Sequence, residues 1–190
     1  MKVLGISGSP RRGGNTDLLL DEVMKGAASR GAEVKTIILN ELDITPCQHC
    51  DACYRAGRCT INDDMQTVYR ELEEADRVIL ASPVHFLGPT AQMKAMIDRC
   101  QALWARKYIL KIAPLGDRRE RKGLFVSVGA LKMANLFEPS LAIVKALFTV
   151  LDITYAGELV FRGIDEKGII TKHSDALRRA FLSGQELVDN

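Results

Sequence analysis

Four of the five cysteines in this chain of 190 residues lie within one short segment, residues 46–59. They are Cys47, Cys50, Cys53 and Cys59, spaced C-x2-C-x2-C-x5-C. Thiols this close together can form disulfides, bind structural zinc or ligate an iron–sulfur cluster. Zinc sites with four cysteines usually separate two C-x2-C pairs by a dozen or more residues, whereas here the last gap is short. The spacing therefore favours iron and sulfur over zinc, and a metal-free thiol loop is the third alternative.

The composition is that of an ordinary globular chain, with 47% apolar and 26% charged residues. The 26 basic residues nearly balance the 24 acidic ones, so the basic excess of a nucleic-acid binder is missing. No apolar run approaches the roughly 20 residues needed to cross a bilayer, and the N-terminus does not resemble a signal peptide. We expect a cytoplasmic protein without a nucleic-acid or membrane partner, in which the thiols stay reduced and disulfides are disfavoured.

Strand and helix patterns alternate along the chain. Apolar runs predict strands at residues 2–7, 77–84 and 123–130, and further strands are predicted at the β-rich residues 33–39 and at residues 153–159. Helical spacing predicts helices at residues 16–30, 63–75, 90–106, 138–151 and 174–188. This alternation predicts an α/β fold: a flavodoxin-like, doubly wound sheet of five parallel strands in the order 2-1-3-4-5. We expect one domain over residues 1–190, with the cysteines on a loop insertion after strand 2, residues 45–62 (the cysteine loop).

The first predicted strand ends in SGSPRRGGNT, residues 7–16, which we call the phosphate loop. Its hydroxyl, amide and guanidinium donors belong to Ser7, Ser9, Arg11, Asn15 and Thr16. A helix N-terminus follows and also attracts anions. The loop matches neither the triphosphate-binding nor the dinucleotide-binding glycine pattern, so a single monoester phosphate suits it best. The alternative is that these residues only form a turn and cap the helix.

Two further loops follow predicted strands at the same edge of the sheet. The candidate residues are Ser82, Pro83, Val84, His85 and Phe86 after strand 3, and Ser127, Gly129 and Ala130 after strand 4. Val84 and Phe86 can form an apolar wall for a flat ring, and Gly129 allows close approach of the backbone. For His85, a loop histidine without a catalytic role is at least as consistent with the sequence as a catalytic one. We assign no catalytic acid or base.

With SGSPRRGGNT after strand 1 and ADRVILASPVHFLGPTAQMKAMIDR farther on, the chain resembles the flavodoxin-like NADPH-dependent FMN reductases. The compact cysteine motif after strand 2 resembles the iron–sulfur flavoprotein branch of that superfamily. The resemblance implies FMN on the three loops and a [4Fe–4S] cluster on Cys47, Cys50, Cys53 and Cys59. It also implies a homodimer or homotetramer in which the cluster of one subunit lies near the flavin of another.

These features predict an oxidoreductase, an electron-transfer flavoprotein that couples one-electron carriers to two-electron acceptors. A small carrier such as ferredoxin, or NAD(P)H, is the expected donor. The alternative is an NAD(P)H-dependent FMN or quinone reductase whose cysteine loop is structural or binds zinc. A zinc- or redox-sensing module without enzymatic activity is a third hypothesis, and the phosphate loop argues against it.

Several other residues have a structural interpretation. We predict that Cys100, Met93 and Met96 lie in the core, and that Asp63 and Asp64 begin a helix. The charged residues 117–122 are interpreted as a solvated loop, and the alternatives are contact with a partner such as ferredoxin or with a cofactor phosphate.

Overall fold

Five parallel strands form one sheet in the order β2-β1-β3-β4-β5 in the computed structural model, which describes residues 1–189. The strands are β1 (Lys2–Ser7), β2 (Glu33–Ile38), β3 (Arg77–Ala81), β4 (Lys122–Gly129) and β5 (Thr154–Arg162). The predicted flavodoxin-like order is confirmed. In such a sheet the strand order reverses beside β1, and a crevice opens at the carboxyl ends of the strands there.

Helices cover both faces of the sheet. They are α1 (Asn15–Ser29), α2 (Cys53–Ala56), α3 (Met65–Glu74), α4 (Ala91–Arg99), α5 (Gln101–Tyr108), α6 (Glu138–Leu151) and α7 (Ser174–Asp189). Short 3-10 helices span Leu39–Glu41 and Ile169–Lys172. None of the helices described within residues 1–189 is long and apolar enough to span a bilayer.

The central strand β3 is buried along its whole length because helices pack on both of its faces. Val78 and Leu80 lie in one hydrophobic cluster, whereas Ile79 and Ala81 lie in the other. This alternation follows from the two-residue period of a strand. Met93, Met96 and Cys100 are buried in the first cluster, which confirms their prediction as core residues.

Helices α1 and α7 approach each other closely at two glycines. A Cβ atom added to Gly26 would lie 1.9 Å from the carbonyl oxygen of Phe181. One added to Gly184 would lie 1.9 Å from the carbonyl oxygen of Val23. Only glycine fits at these positions, and the contact holds α7 against the helix that follows the phosphate loop.

Three local predictions differ from the structure. The helix predicted at residues 90–106 is two helices, α4 and α5, that meet at Cys100. The cysteine loop contains a single helical turn, α2, that no apolar period indicated. The solvated-loop interpretation is wrong for Arg121, which is buried and donates hydrogen bonds to the carbonyl oxygens of Ala75 and Glu73 at 3.0 Å each.

Candidate functional site

A cavity of about 180 Å³ lies at the carboxyl ends of β1, β3 and β4. We call it the strand-end cavity. The phosphate loop and the loops after β3, β4 and β5 surround it. Its lining residues are Ser9, Pro10, Arg11, Gly14, Asn15, Thr16, Pro83, Val84, His85, Val128, Gly129, Ala130, Ile164, Asp165 and Lys167. Its position is the one at which open α/β sheets bind ligands.

Most of the candidate residues predicted for this crevice line the cavity. The structure brings together Ser9, Arg11, Asn15, Thr16, Pro83, Val84, His85, Gly129 and Ala130. Four other candidates, Ser7, Ser82, Phe86 and Ser127, are not among the lining residues.

Ser7 shapes the phosphate loop from beneath. Its hydroxyl donates a hydrogen bond of 2.6 Å to Asp17 Oδ1, and Asp17 Oδ2 accepts one of 3.0 Å from the amide of Gly13. Ser9 makes a local turn, because its hydroxyl donates to the carbonyl oxygen of Arg11 and accepts from the Arg11 amide. These hydrogen bonds stabilise the conformation of the phosphate loop.

Ser82 and Ser127 join the loops to one another. The Ser127 hydroxyl donates to the Ser82 carbonyl oxygen at 2.7 Å, and the Ser82 hydroxyl accepts from the Thr90 amide at 3.0 Å. Thr90 in turn donates to the Gly8 carbonyl oxygen at 2.6 Å, and its hydroxyl caps α4 by accepting from the Met93 amide. This buried network fixes the phosphate loop relative to the loops after β3 and β4.

Phe86 is fully exposed at the tip of the loop after β3. Phe86 and Leu87 both have positive φ angles, 49° and 66°, which are costly for residues with bulky side chains. His85 and Gly88 close the turn with a pair of backbone hydrogen bonds. In this structure Val84 contributes to the cavity wall, whereas Phe86 does not.

Sequence reasoning missed the third side of the cavity. Ile164, Asp165 and Lys167 lie on the loop after β5, which contains no recognisable motif. Asn15 fastens this loop to α1, because its amide nitrogen donates to the Glu166 carbonyl oxygen and its oxygen accepts from the Ile170 amide. Only the predicted sheet order, which places β5 next to β4, indicated that the loop after β5 could reach the cavity.

A second, smaller cavity of about 20 Å³ lies within the cysteine loop. All four of its cysteines, Cys47, Cys50, Cys53 and Cys59, line it together with Arg99 from α4, and all four are free thiols. We call it the cysteine cavity. Cys50 is exposed, and the other three thiols are partly buried. Within residues 1–189, no three side chains of Cys, His, Asp or Glu converge closely enough to hold a single metal ion.

The thiols of this cavity influence one another electrostatically. Burial raises the pKa of the Cys53 thiol, and the neighbouring sulfurs of Cys59, Cys47 and Cys50 raise it further, although a backbone hydrogen bond opposes the change. A bound metal centre would lower the pKa of these thiols again, because its positive charge stabilises thiolates.

An ion pair closes the base of the cysteine loop. Arg99 Nη1 donates to the Thr45 carbonyl oxygen at 2.7 Å and to Asp63 Oδ2 at 2.6 Å. Its Nη2 donates to Asp63 Oδ1 at 3.0 Å and to the Ile61 carbonyl oxygen at 3.4 Å. Thr45 and Ile61 lie at opposite ends of the loop, so one side chain holds both. The sequence suggested only that Asp63 begins a helix.

Burial raises the pKa of the Asp63 carboxyl, but hydrogen bonds from Arg99 and from the Thr45 amide outweigh it and leave the pKa below its usual value. For Arg99, burial lowers the pKa, but the hydrogen bond to Asp63 and the nearby Cys59 and Tyr69 outweigh it and leave the pKa above its usual value. Both members of the pair are therefore charged at neutral pH.

The sequence profile of the NADPH-dependent FMN reductase family matches residues 1–147. An iron–sulfur flavoprotein from Methanocaldococcus jannaschii is 45% identical over 103 residues, which are 54% of this chain and 53% of that protein. One from Archaeoglobus fulgidus is 46% identical over 125 residues, which are 66% of this chain and 51% of that protein. The chain spans about half the length of these curated relatives.

A solved structure of similar fold is the NAD(P)H:quinone oxidoreductase from Methanothermobacter marburgensis. It aligns with a TM-score of 0.72 over 98% of this chain and 96% of that chain, at 16% sequence identity. At this level of identity the likeness concerns the fold alone.

Proposed function

Because the chain belongs to the NADPH-dependent FMN reductase family, as the profile match over residues 1–147 shows, we propose that it is an FMN-dependent oxidoreductase that also carries a [4Fe–4S] cluster. Its role is to transfer electrons between one-electron carriers and two-electron acceptors. One observation carries the proposal: the same chain contains both a strand-end cavity with phosphate donors and a separate cavity lined by four free thiols.

FMN fits the donors of the strand-end cavity. Thr16 and Arg11 offer hydroxyl and guanidinium donors to the phosphate, and the N-terminus of α1 offers amides and a favourable dipole. Ser9 also lines the cavity, and its hydroxyl donates to the carbonyl oxygen of Arg11 in this structure. Val84 and Val128 supply apolar surface for the ring, and Gly129 also lines the cavity. Asp165 and Lys167, on the loop after β5, place one negative and one positive charge in the wall of the cavity.

The chemistry of the donor set suits an iron–sulfur cluster. A cubane cluster takes one thiolate at each of its four corners, and four free cysteines line this one cavity. Their spacing in the sequence is also shorter than that of the usual zinc site with four cysteines. The ligands that we propose are Cys47, Cys50, Cys53 and Cys59.

When bound, FMN supplies one- and two-electron chemistry and the cluster supplies single electrons. The phosphate loop would hold the FMN phosphate, and Val84 would contact the ring. Cys50 is exposed, so the cysteine cavity is accessible to a donor protein such as ferredoxin or to a second copy of this chain. We propose a homodimer or homotetramer, with NAD(P)H as the other candidate donor. A cytoplasmic location fits, because reducing conditions keep the thiols free.

The second candidate function is an NAD(P)H-dependent FMN or quinone reductase whose cysteine loop is structural or binds zinc. The profile match favours it, because the matching family is defined by NADPH-dependent FMN reduction. It predicts rapid reduction of bound flavin by NADPH and no iron in the protein.

The variant Cys53→Ser tests the two-centre proposal. Cys53 lines the cysteine cavity and no part of the strand-end cavity. We therefore expect the variant to lose the broad visible absorption of the cluster and to keep its FMN, measured after anaerobic purification. The matched control is Cys100→Ala, which removes the one cysteine outside the loop and should keep both centres. Loss of FMN together with the cluster in Cys53→Ser would refute separate sites.

A further inference from the structure

Arg99 is buried against the cysteine cavity and has a donor without an acceptor. Its side chain is fully inaccessible, and it lines the cavity alongside the four cysteines. Among the buried side-chain nitrogen and oxygen atoms of residues 1–189, Arg99 Nε alone has no hydrogen-bond partner. A buried donor is rarely left unpaired in a folded protein, because water no longer compensates it.

The other two guanidinium nitrogens are fully occupied. Nη1 donates to Thr45 and Asp63, and Nη2 donates to Asp63 and Ile61. These contacts fix the plane of the guanidinium, so Nε has little freedom to turn toward a distant acceptor. Arg99 and all four cysteines of the loop line the same small cavity. Sulfur held there is therefore a candidate acceptor for Nε.

We propose that Arg99 Nε donates a hydrogen bond to sulfur of the metal centre held by the four cysteines, and that this bond raises the reduction potential of the centre. The inference rests on the proposed function, which supplies the centre. A one-electron reduction makes the centre more negative, while Arg99 neither gains nor loses a proton. An N–H donor and a fixed positive charge therefore stabilise the reduced form more than the oxidised form.

The test is an anaerobic redox titration of reconstituted protein with dithionite as the electron donor. The first variant is Arg99→Lys, which keeps a positive charge for Asp63 and removes the Nε donor. We expect the iron and sulfide content of the variant to equal that of the wild type. The equilibrium constant for reduction of the centre should fall about tenfold, so its reduction potential should become more negative by about 59 mV for a one-electron couple. If Arg99 only stabilised the fold, replacing it by lysine would leave the reduction potential unchanged.

Arg121→Lys is the matched control. Arg121 is equally buried and also donates to backbone carbonyls, but it does not line the cysteine cavity. We expect its centre to have the wild-type potential. If Arg99→Lys does not fold, the double variant Asp63→Asn/Arg99→Gln replaces it, because removing both charges leaves neither one buried and unpaired.

The outcomes separate the two claims. A more negative potential in the Arg99 variant, with Arg121→Lys unchanged, supports the inference. Equal potentials in wild type and the Arg99 variant, both fully loaded with iron, overturn the inference and leave the proposed function standing. Wild-type protein that takes up no iron under reconstitution overturns the proposed function, and the inference with it.

Discussion

Replacing Asp63 by Asn removes the negative charge that faces Arg99 at the base of the cysteine loop, while the side chain keeps its size. The carboxylate accepts hydrogen bonds of 2.6 and 3.0 Å from Arg99, and bonds of 2.9 and 3.1 Å from the amides of Thr45 and Met65. Each of its oxygens accepts two of these bonds. Because an asparagine side chain has one oxygen, two of the four bonds lose their acceptor.

The cost follows from the burial of the pair. The Arg99 side chain is 0% exposed and that of Asp63 is 8% exposed. Removing one partner from a buried ion pair costs about 3–5 kcal/mol, because the remaining charge stays buried without compensation. We take the lower end, since Arg99 keeps its bonds to the backbone carbonyls of Thr45 and Ile61. The free energy of unfolding should fall by about 3 kcal/mol.

Asp64→Asn is the matched control, one residue along the chain. Asp64 is exposed and accepts a hydrogen bond of 2.8 Å from the amide of Asp43. An exposed substitution of this kind changes stability by about 0.5 kcal/mol or less. The assay is urea unfolding of the metal-free protein, followed by circular dichroism at pH 7. Equal unfolding free energies for the Asp63 and Asp64 variants would refute the role of this ion pair.

The same pair predicts a dependence of stability on pH. The pKa of the Asp63 carboxyl is lower in the folded protein than in the unfolded chain, where it is about 3.9. The stabilisation is therefore fully present above that unfolded value and is lost as the pH falls through the folded value. The difference in unfolding free energy between wild type and Asp63→Asn should be constant above about pH 5 and shrink below about pH 4.

Two further predictions concern the FMN site and the fold. Arg11→Ala should weaken FMN binding about tenfold, because a charge-assisted hydrogen bond to phosphate is lost. Arg30→Ala is its control, since Arg30 pairs with Asp189 at 3.1 Å and does not line the strand-end cavity; equal affinities of the two variants in a fluorescence titration would contradict the assignment. Gly184→Ala should lower the melting temperature by at least about 4 °C, because the added Cβ meets a backbone carbonyl. A melting temperature within about 1 °C of wild type would show that α1 and α7 separate readily.

The sheet was predictable because its signal is local. The central strands β1, β3 and β4 are short and mainly apolar, and β3 is buried on both faces, so four apolar residues follow Arg77 without interruption. Alternation with helices then implies parallel strands and a small set of orders. The break between α4 and α5 was not predictable, because neither glycine nor proline marks Cys100.

The candidate site was predictable where the loops carry recognisable residues. The residues of the phosphate loop that line the cavity stand out by their hydroxyl, amide and guanidinium groups. The contribution of Asp165 and Lys167 was missed, because it depends on where β5 lies in the sheet and on no motif of its own. The pairing of Asp63 with Arg99 joins residues 36 positions apart, and a contact of that kind leaves no periodic trace in one sequence.

The most direct test of the central claim is a metal and flavin analysis of anaerobically purified protein after reconstitution with iron and sulfide. The two-centre account predicts FMN together with about four iron and four sulfide per chain, and flavin peaks above a broad visible shoulder. FMN with zinc, or FMN with no metal on the four cysteines, would contradict it and favour the NAD(P)H-dependent reductase instead.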